Sequence, residues 1–344
     1  MSRVSRTLTD GGPHDATAAA VATHAERVPA FGAVIELTKP GIVRMVLVAA
    51  SVGFALGLVG AAGGLASGGG VSLANLVVVA IAMLIGTALA AGGANALNMA
   101  LEVWRDAQME RTASRPIPSG RLSKRAAIAI GLGLSFVGVA VLWAGAGLGA
   151  ALVTLSTVLL YVIAYTPLKP VTTFSTLVGA LPGALPPLVG WCAASTMLTG
   201  SWSSGLTESA GWSLFALMFV WQVPHVMAIS WKYRDEYVRG GHRVLPSVDP
   251  TGERTGRAAV AWSVLLVPVS FAPALFMPAG VVGFVYLIVA GALGMWTVAA
   301  SANLLRERTT AAATKLFVVT IIYLPVVLLV LVGDALTSVL RAGA

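Results

Sequence analysis

The chain has 344 residues, 57% of them hydrophobic and only 10% charged, against roughly 25% charged in an ordinary soluble domain. A mean hydropathy of +0.86 excludes a water-soluble globular enzyme and indicates a polytopic membrane protein. The net charge of +8 does not mark a nucleic-acid binder, because the basic residues fall where short loops meet an anionic membrane surface.

Residues 1–35 are polar and Ala-rich and carry Asp10, Asp15 and Glu26, acids at odds with a cleaved signal sequence or a transit peptide. They read as a disordered cytoplasmic tail before a membrane domain over 36–344. Crossing a bilayer takes about 20 mainly apolar residues, and such stretches lie near 41–60, 73–97, 126–146, 148–166, 174–196, 212–231, 259–277, 279–301 and 314–336. Nine transmembrane helices are therefore expected. With the N-terminus cytoplasmic, 21 of the 22 Lys and Arg residues fall on one side and only Arg341 on the other, as the positive-inside rule requires. An even number of spans would put the loops out of phase. The expected location is a cell (inner) membrane, crossed many times, with the C-terminus outside.

Within the first span, Gly53 and Gly57 are four residues apart, as are Gly179 and Gly183 in the fifth. Small residues at that spacing let helices approach closely in lipid, where apolar burial cannot drive association. The second span ends in "NALNMALEVWRDAQMERTASRP". Asn98, Glu102 and Asp106 recur there at i, i+4 and i+8, and each such helical step turns roughly 40° and climbs about 6 Å. The three form one oxygen-rich stripe. Its ordinary reading is a solvated helix end paired with Arg105 or Arg111. Yet the chain has only 14 acidic residues, and this stripe is followed by Arg111, Arg115 and the helix-breaking Pro116. Carboxylate oxygens suit Mg²⁺, which keeps waters and shares phosphate oxygens, while arginines grip the remaining phosphate oxygens. The stripe reads as a diphosphate site.

Lys169 follows Tyr165, Thr166 and Pro167 at the inner end of the fourth span, either as a snorkelling interfacial lysine or as a diphosphate contact. Pro182, Pro186, Pro187, Pro224, Pro268, Pro273 and Pro325 lie in or near spans, so several helices should kink or break. The single cysteine, Cys192, reads as a small buried residue. His225, in "WQVPHVMAISW", either caps the carbonyl freed by Pro224 or serves acceptor binding or proton transfer. The sixth span runs into "WKYRDEYVRGGHRVLP". Asp235 and Glu236 there sit among Lys232, Arg234, Arg239 and Arg243. Paired with the first stripe, they read as a second metal-binding half-site facing the same cavity. Gly240 and Gly241 permit a backbone reversal that could close this loop over the first, and His242 is expected at the surface.

At these residues the chain resembles the UbiA-type intramembrane prenyltransferase superfamily, and within it the protohaem IX farnesyltransferase (haem O synthase) family. The resemblance rests on "NALNMALEVWRDAQMERTASRPIPSGRLS", "YTPLKPVTTFSTLVGALPGALPPLVGW" and "WQVPHVMAISWKYRDEYVRGGHRVLP", and covers about residues 36–336. Glu102, the "MERT..RP" continuation and "GALPPLVGW" favour the haem branch over the quinone and chlorophyll branches. Pro170 stands where a basic residue is common and Ser175 where asparagine is frequent. Asp235 and Glu236 precede Tyr237 where the family usually has Asp.

The resemblance implies an all-α fold of nine transmembrane helices around a central cavity. It also implies a Mg²⁺-dependent reaction of farnesyl diphosphate, haem b and water to haem O and diphosphate. Asn98, Glu102 and Asp106 would hold one Mg²⁺, with Asp235 or Glu236 helping to hold another, while Arg111, Arg115 and Lys169 neutralise the leaving group. His225, Lys232 and Tyr237 would be substrate-side residues. Haem b is then a substrate, membrane lipids surround the chain, and haem A synthase is a candidate partner. A prenyltransferase acting on a quinone precursor or chlorophyllide, and a transporter, are the competing readings.

Overall fold

The computed structural model describes residues 30–62, 64–65 and 70–342. The expected tail lies outside the described residues up to position 29. Its last residues do not belong to a disordered tail, however, because Ala30–Leu37 is a helix, α1. The apolar run AFGAVIEL supplies its packing face, with Ala33 and Leu37 buried, and Glu36 pairs with Arg121 at 2.7 Å.

Among the described residues there are nine helices long and apolar enough to span a membrane, and no strand. After α1 come α2 (Pro40–Gly60), α3 (Leu73–Leu101), the short α4 (Val103–Asp106) and α5 (Glu110–Ala113), α6 (Lys124–Ala146) and α7 (Leu148–Leu168). The fifth span is α8 (Ser175–Ala184) with α9 (Pro186–Thr199), and the sixth is α10 (Ser209–Lys232), followed by α11 (Arg234–Arg239). The seventh comprises α12 (Glu253–Ser270) and α13 (Ala272–Phe276), and α14 (Phe284–Glu307) and α15 (Thr310–Ala342) complete the bundle.

Prolines act unevenly. The fifth span breaks at Leu185, just before Pro186 and Pro187, and the seventh at Phe271 between Pro268 and Pro273. At the second break the Ser270 carbonyl accepts from Tyr286 Oη at 2.6 Å, which satisfies a group that lipid could not. Pro224 and Pro325 stay inside unbroken helices. The fourth span instead carries a π-helical turn over Leu160–Tyr165, a distortion frequent at functional positions.

Backbone-to-backbone approaches fix the frame around the charged end. A Cβ on Gly53 would lie 1.9 Å from the Pro187 carbonyl oxygen, and one on Gly190 1.9 Å from that of Ala50. The first and fifth spans therefore touch through bare main chain, as the Gly53–Gly57 spacing leads one to expect. A Cβ on Gly93 would lie 2.6 Å from the Gly131 carbonyl oxygen, and one on Gly138 2.6 Å from that of Gly86, so α3 and α6 are joined in the same way. Outward-facing residues such as Phe136, Leu275 and Phe284 are mostly exposed, as a lipid-facing surface demands. Cys192 is buried and free.

Candidate active site

Helix α3 ends at Leu101, where Glu102 leaves helical geometry (φ −98°, ψ 8°). The expected continuous stripe is therefore bent. It is not lost, because Glu102 N–H still donates to the Asn98 carbonyl at 3.0 Å and Asp106 N–H to that of Glu102 at 2.8 Å. Asn98, Glu102 and Asp106 are only 1%, 5% and 1% exposed, so none is a solvated helix-end residue.

Each of the three oxygen donors is matched by a cation. Lys39 Nζ donates to Asn98 Oδ1 at 2.8 Å. Lys169 Nζ lies 2.8 Å from Glu102 Oε1 as an ion pair and donates to Oε2 at 3.1 Å; only the second contact has hydrogen-bond angles, leaving Oε1 without a hydrogen-bond donor. Arg115 Nη1 reaches both Asp106 oxygens at 2.8 Å. Asn98 Nδ2 donates both to Glu102 Oε2 and to Thr166 Oγ1, each at 3.0 Å. Burial opposes the negative charge on Glu102, but Lys169 beside it holds its pKa below the usual carboxylate range. Burial likewise opposes the charge on Lys169, yet Tyr165 and Glu102 raise its pKa. Lys39 has no carboxylate in direct contact, and burial together with Arg115 and Lys169 lowers its pKa to about 7.

In the sequence Lys39 stands out only as one of the basic residues on the inner side. Its one local signal is the Pro that follows; the rest is conformational. Lys39 is a non-glycine residue with φ 53°, in the left-handed region that costs of order 1–3 kcal/mol. The joint between α1 and α2 is held there by Asn95 Nδ2, which donates to the Thr38 carbonyl at 3.0 Å.

The second loop folds onto the first, as the glycine pair allows. Gly241 takes φ +66°, and Arg243 N–H then donates to the Lys169 carbonyl at 2.7 Å. Gly240 packs so closely that a Cβ would lie 3.0 Å from Met109 Sδ. Arg111 stacks over the Tyr233 ring at 5.4 Å. The two carboxylates of this loop separate: the Asp235 side chain is 84% exposed with Arg234 at 3.6 Å, whereas Glu236 Oε2 is buried without a partner. Tyr237 is half-buried, and burial raises its pKa. Lys232 is exposed, over the Tyr233 ring at 5.4 Å. His242 is not at the surface as expected but 5% exposed, its ring against Tyr237 at 5.8 Å.

His225 lies elsewhere. Its Nδ1 is 2.9 Å from Thr320 Oγ1 on α15, and its ring is stacked between Trp221 and Phe317 at 4.9 and 5.1 Å. It therefore does not cap the carbonyl freed by Pro224, and it is not among the residues lining the cavity beside the stripe. That cavity, of about 290 Å³, runs from Asn95 past Tyr161 and Tyr165 to Gln222, with Ile42 and Val46 on its apolar wall. Lys169 Nζ sits 4.5 Å from the Tyr165 ring centroid, so the charged cluster adjoins the apolar chamber.

Residues 44–325 match the model of the UbiA prenyltransferase family, and the chain belongs to that family. Among its relatives are proteins named protoheme IX farnesyltransferase. The one from Solibacter usitatus is 40% identical over 293 residues, covering 85% of this chain and 95% of the relative. The one from Salinibacter ruber is 36% identical over 298 residues, covering 87% and 96%. Solved structures share the fold at lower identity. A digeranylgeranylglyceryl phosphate synthase superposes with a TM-score of 0.68 at 17% identity, over 90% of this chain and 99% of that one. A UbiA homolog from Archaeoglobus fulgidus bound to GPP and Mg²⁺ gives 0.56 at 13%, over 89% and 99%.

Proposed function

We propose that the protein transfers the farnesyl group of farnesyl diphosphate to haem b with addition of water, giving haem O and diphosphate, and that it requires Mg²⁺. The observation that carries this reading is the buried row Asn98, Glu102 and Asp106, each matched by a cation, at the mouth of an apolar cavity. The names of the relatives indicate the two substrates.

The donor set fits Mg²⁺. No group of three or more His, Cys, Asp or Glu residues converges among the described residues, but a hard cation that takes phosphate oxygens needs few carboxylates from the protein. Glu102 Oε1 and Glu236 Oε2 are buried oxygens that lack a hydrogen bond. Asn98, Glu102 and Asp106 would hold one ion, and Glu236 rather than Asp235 would serve a second. The metal supplies charge neutralisation at the diphosphate.

Lys39, Lys169 and Arg115 stand beside the same oxygens and can turn to phosphate, and Arg111 has no acidic ion-pair partner among the described residues. Together they stabilise the negative charge that grows as the C–O bond to diphosphate breaks. The allylic cation left behind faces Tyr161 and Tyr165, whose rings line the cavity and favour positive charge over their faces. The apolar wall keeps bulk water from it. The haem vinyl carbon then bonds to the allylic carbon, water adds to the resulting porphyrin side-chain cation, and the water proton is released.

The reaction centre would face the cytoplasm of a cell membrane, where the basic loops belong, and the product would be available to haem A synthase. Ser119→Cys should be labelled only from the inner side and Ser201→Cys only from the outer, with the native Cys192 buried; the opposite pattern reverses the orientation. The reaction itself is tested by giving purified protein labelled farnesyl diphosphate, haem b and Mg²⁺ and weighing the product. A farnesyl-hydroxyethyl haem that disappears with EDTA is expected. Prenylation of a quinone precursor with haem ignored, or turnover unaffected by EDTA, would overturn the reading.

A further inference from the structure

Buried polar atoms without partners are rare in folded proteins, and each asks for a ligand or an explanation. Among the described residues, those belonging to ionisable side chains are Glu102 Oε1, Arg105 Nε, Glu236 Oε2 and His242 Nδ1. The others are hydroxyls. All four belong to the two loop regions that meet at Lys169.

Two are carboxylate oxygens suited to metal, and Arg105 Nε belongs to a guanidinium that lies over the Trp104 ring at 5.9 Å. His242 has no role in the mechanism above, yet its position is strongly determined. Its N–H donates to the Tyr237 carbonyl at 2.9 Å, its carbonyl accepts from Ser247 Oγ at 2.9 Å, and Arg243 next to it is tied to Lys169. A Cβ on Gly240 would lie 3.3 Å from His242 Cδ2, so the imidazole is wedged under the glycine turn. Burial keeps it neutral, lowering its pKa to about 4; nearby Glu102 opposes this, while Lys169, Arg105 and Arg111 add to it. A neutral imidazole offers one N–H donor. With Lys169, Arg105 and Arg111 nearby and no hydrogen-bond partner for Nδ1, that donor is suited to an incoming anion.

We infer that His242 is a substrate-contacting residue of this site, donating from its buried ring nitrogen to an oxygen of the bound diphosphate. The inference rests on the proposed diphosphate chemistry and extends it to a residue of the second loop. The second loop then does more than fold over the first, because it brings its own ligand for the leaving group.

The test measures binding apart from turnover. Full-length protein in detergent is titrated with inorganic diphosphate plus Mg²⁺, with a non-cleavable thiolo analogue of farnesyl diphosphate plus Mg²⁺, and separately with haem b. His242→Phe keeps an aromatic ring in the pocket but removes the donor, and His242→Gln restores a donor. Losing one hydrogen bond to a charged group corresponds to roughly tenfold or more in affinity. His242→Phe should show that loss for both diphosphate ligands, with haem affinity and melting temperature unchanged, and His242→Gln should recover part of it. Wild-type affinity for both diphosphates in His242→Phe overturns the inference, as does a loss confined to haem. If wild-type protein itself binds no diphosphate with Mg²⁺, the proposed function falls instead; where wild-type protein does bind, Asp106→Asn should abolish that binding and serves as the reference for a complete loss.

Discussion

The main-chain N–H of Arg243 donates to the carbonyl of Lys169 at 2.7 Å, joining the loop after the sixth span to the residue whose side chain pairs with Glu102. One backbone contact thus links the second acidic loop to the first stripe through the fourth span. The left-handed turn at Gly241 makes it possible.

Gly241→Val should loosen that closure. A β-branched residue at φ +66° costs about 1–2 kcal/mol, a strain the loop can relieve by lifting from Lys169. The expected result is a severalfold higher KM for farnesyl diphosphate with little change in melting temperature, read from initial rates and thermal unfolding. An unchanged KM would show that the loop stays closed without the turn.

Asp106→Asn keeps the shape of a 1% exposed side chain but removes the charge shared by Arg115 and the proposed metal. Turnover should fall at least about a hundredfold, on the scale of losing a charge-stabilising group at a reaction centre, while the protein still inserts and folds. Near-normal product formation by the purified variant would refute the metal assignment.

Asp235→Asn and Glu236→Gln should differ. Asp235 is solvated with a weak partner, and exposed pairs of that kind contribute little, so its loss should leave kcat/KM within about twofold. Glu236, with a buried orphan oxygen, should cost about tenfold or more, as removal of a charge-bearing ligand does. Equal mild effects would make the loop purely structural.

Gly190→Ala places a methyl group 1.9 Å from the Ala50 carbonyl oxygen and forces the first and fifth spans apart. Overpacking of this kind costs typically about 1–3 kcal/mol, so thermal unfolding in detergent should occur at lower temperature. Gly133→Ala, in a span but with nothing within 4 Å, should be neutral or mildly stabilising.

The nine spans are legible in the chain before any folding is considered, because hydropathy over about 20 residues is a local property that the bilayer reads directly. The first oxygen row is legible there too, since a four-residue spacing needs only helical continuity to bring Asn98, Glu102 and Asp106 together, and the bend at Glu102 preserves the hydrogen bonds that maintain it. Tertiary structure decided what spacing cannot encode. Lys39 reaches Asn98 across 59 residues through a strained joint that no hydropathy pattern marks. Adjacent Asp235 and Glu236 are equivalent in sequence, but at the start of a short helix they point differently, and only the packing of α11 buries a carboxylate oxygen of Glu236 while Asp235 stays exposed. His242 follows a flexible pair of glycines in a charged loop, where local reasoning expects solvent, and it is buried because Arg243 finds its hydrogen-bond partner at the end of another helix. His225 lies inside a span, yet which face of α10 it occupies depends on where α15 packs, and that contact turns its imidazole to Thr320.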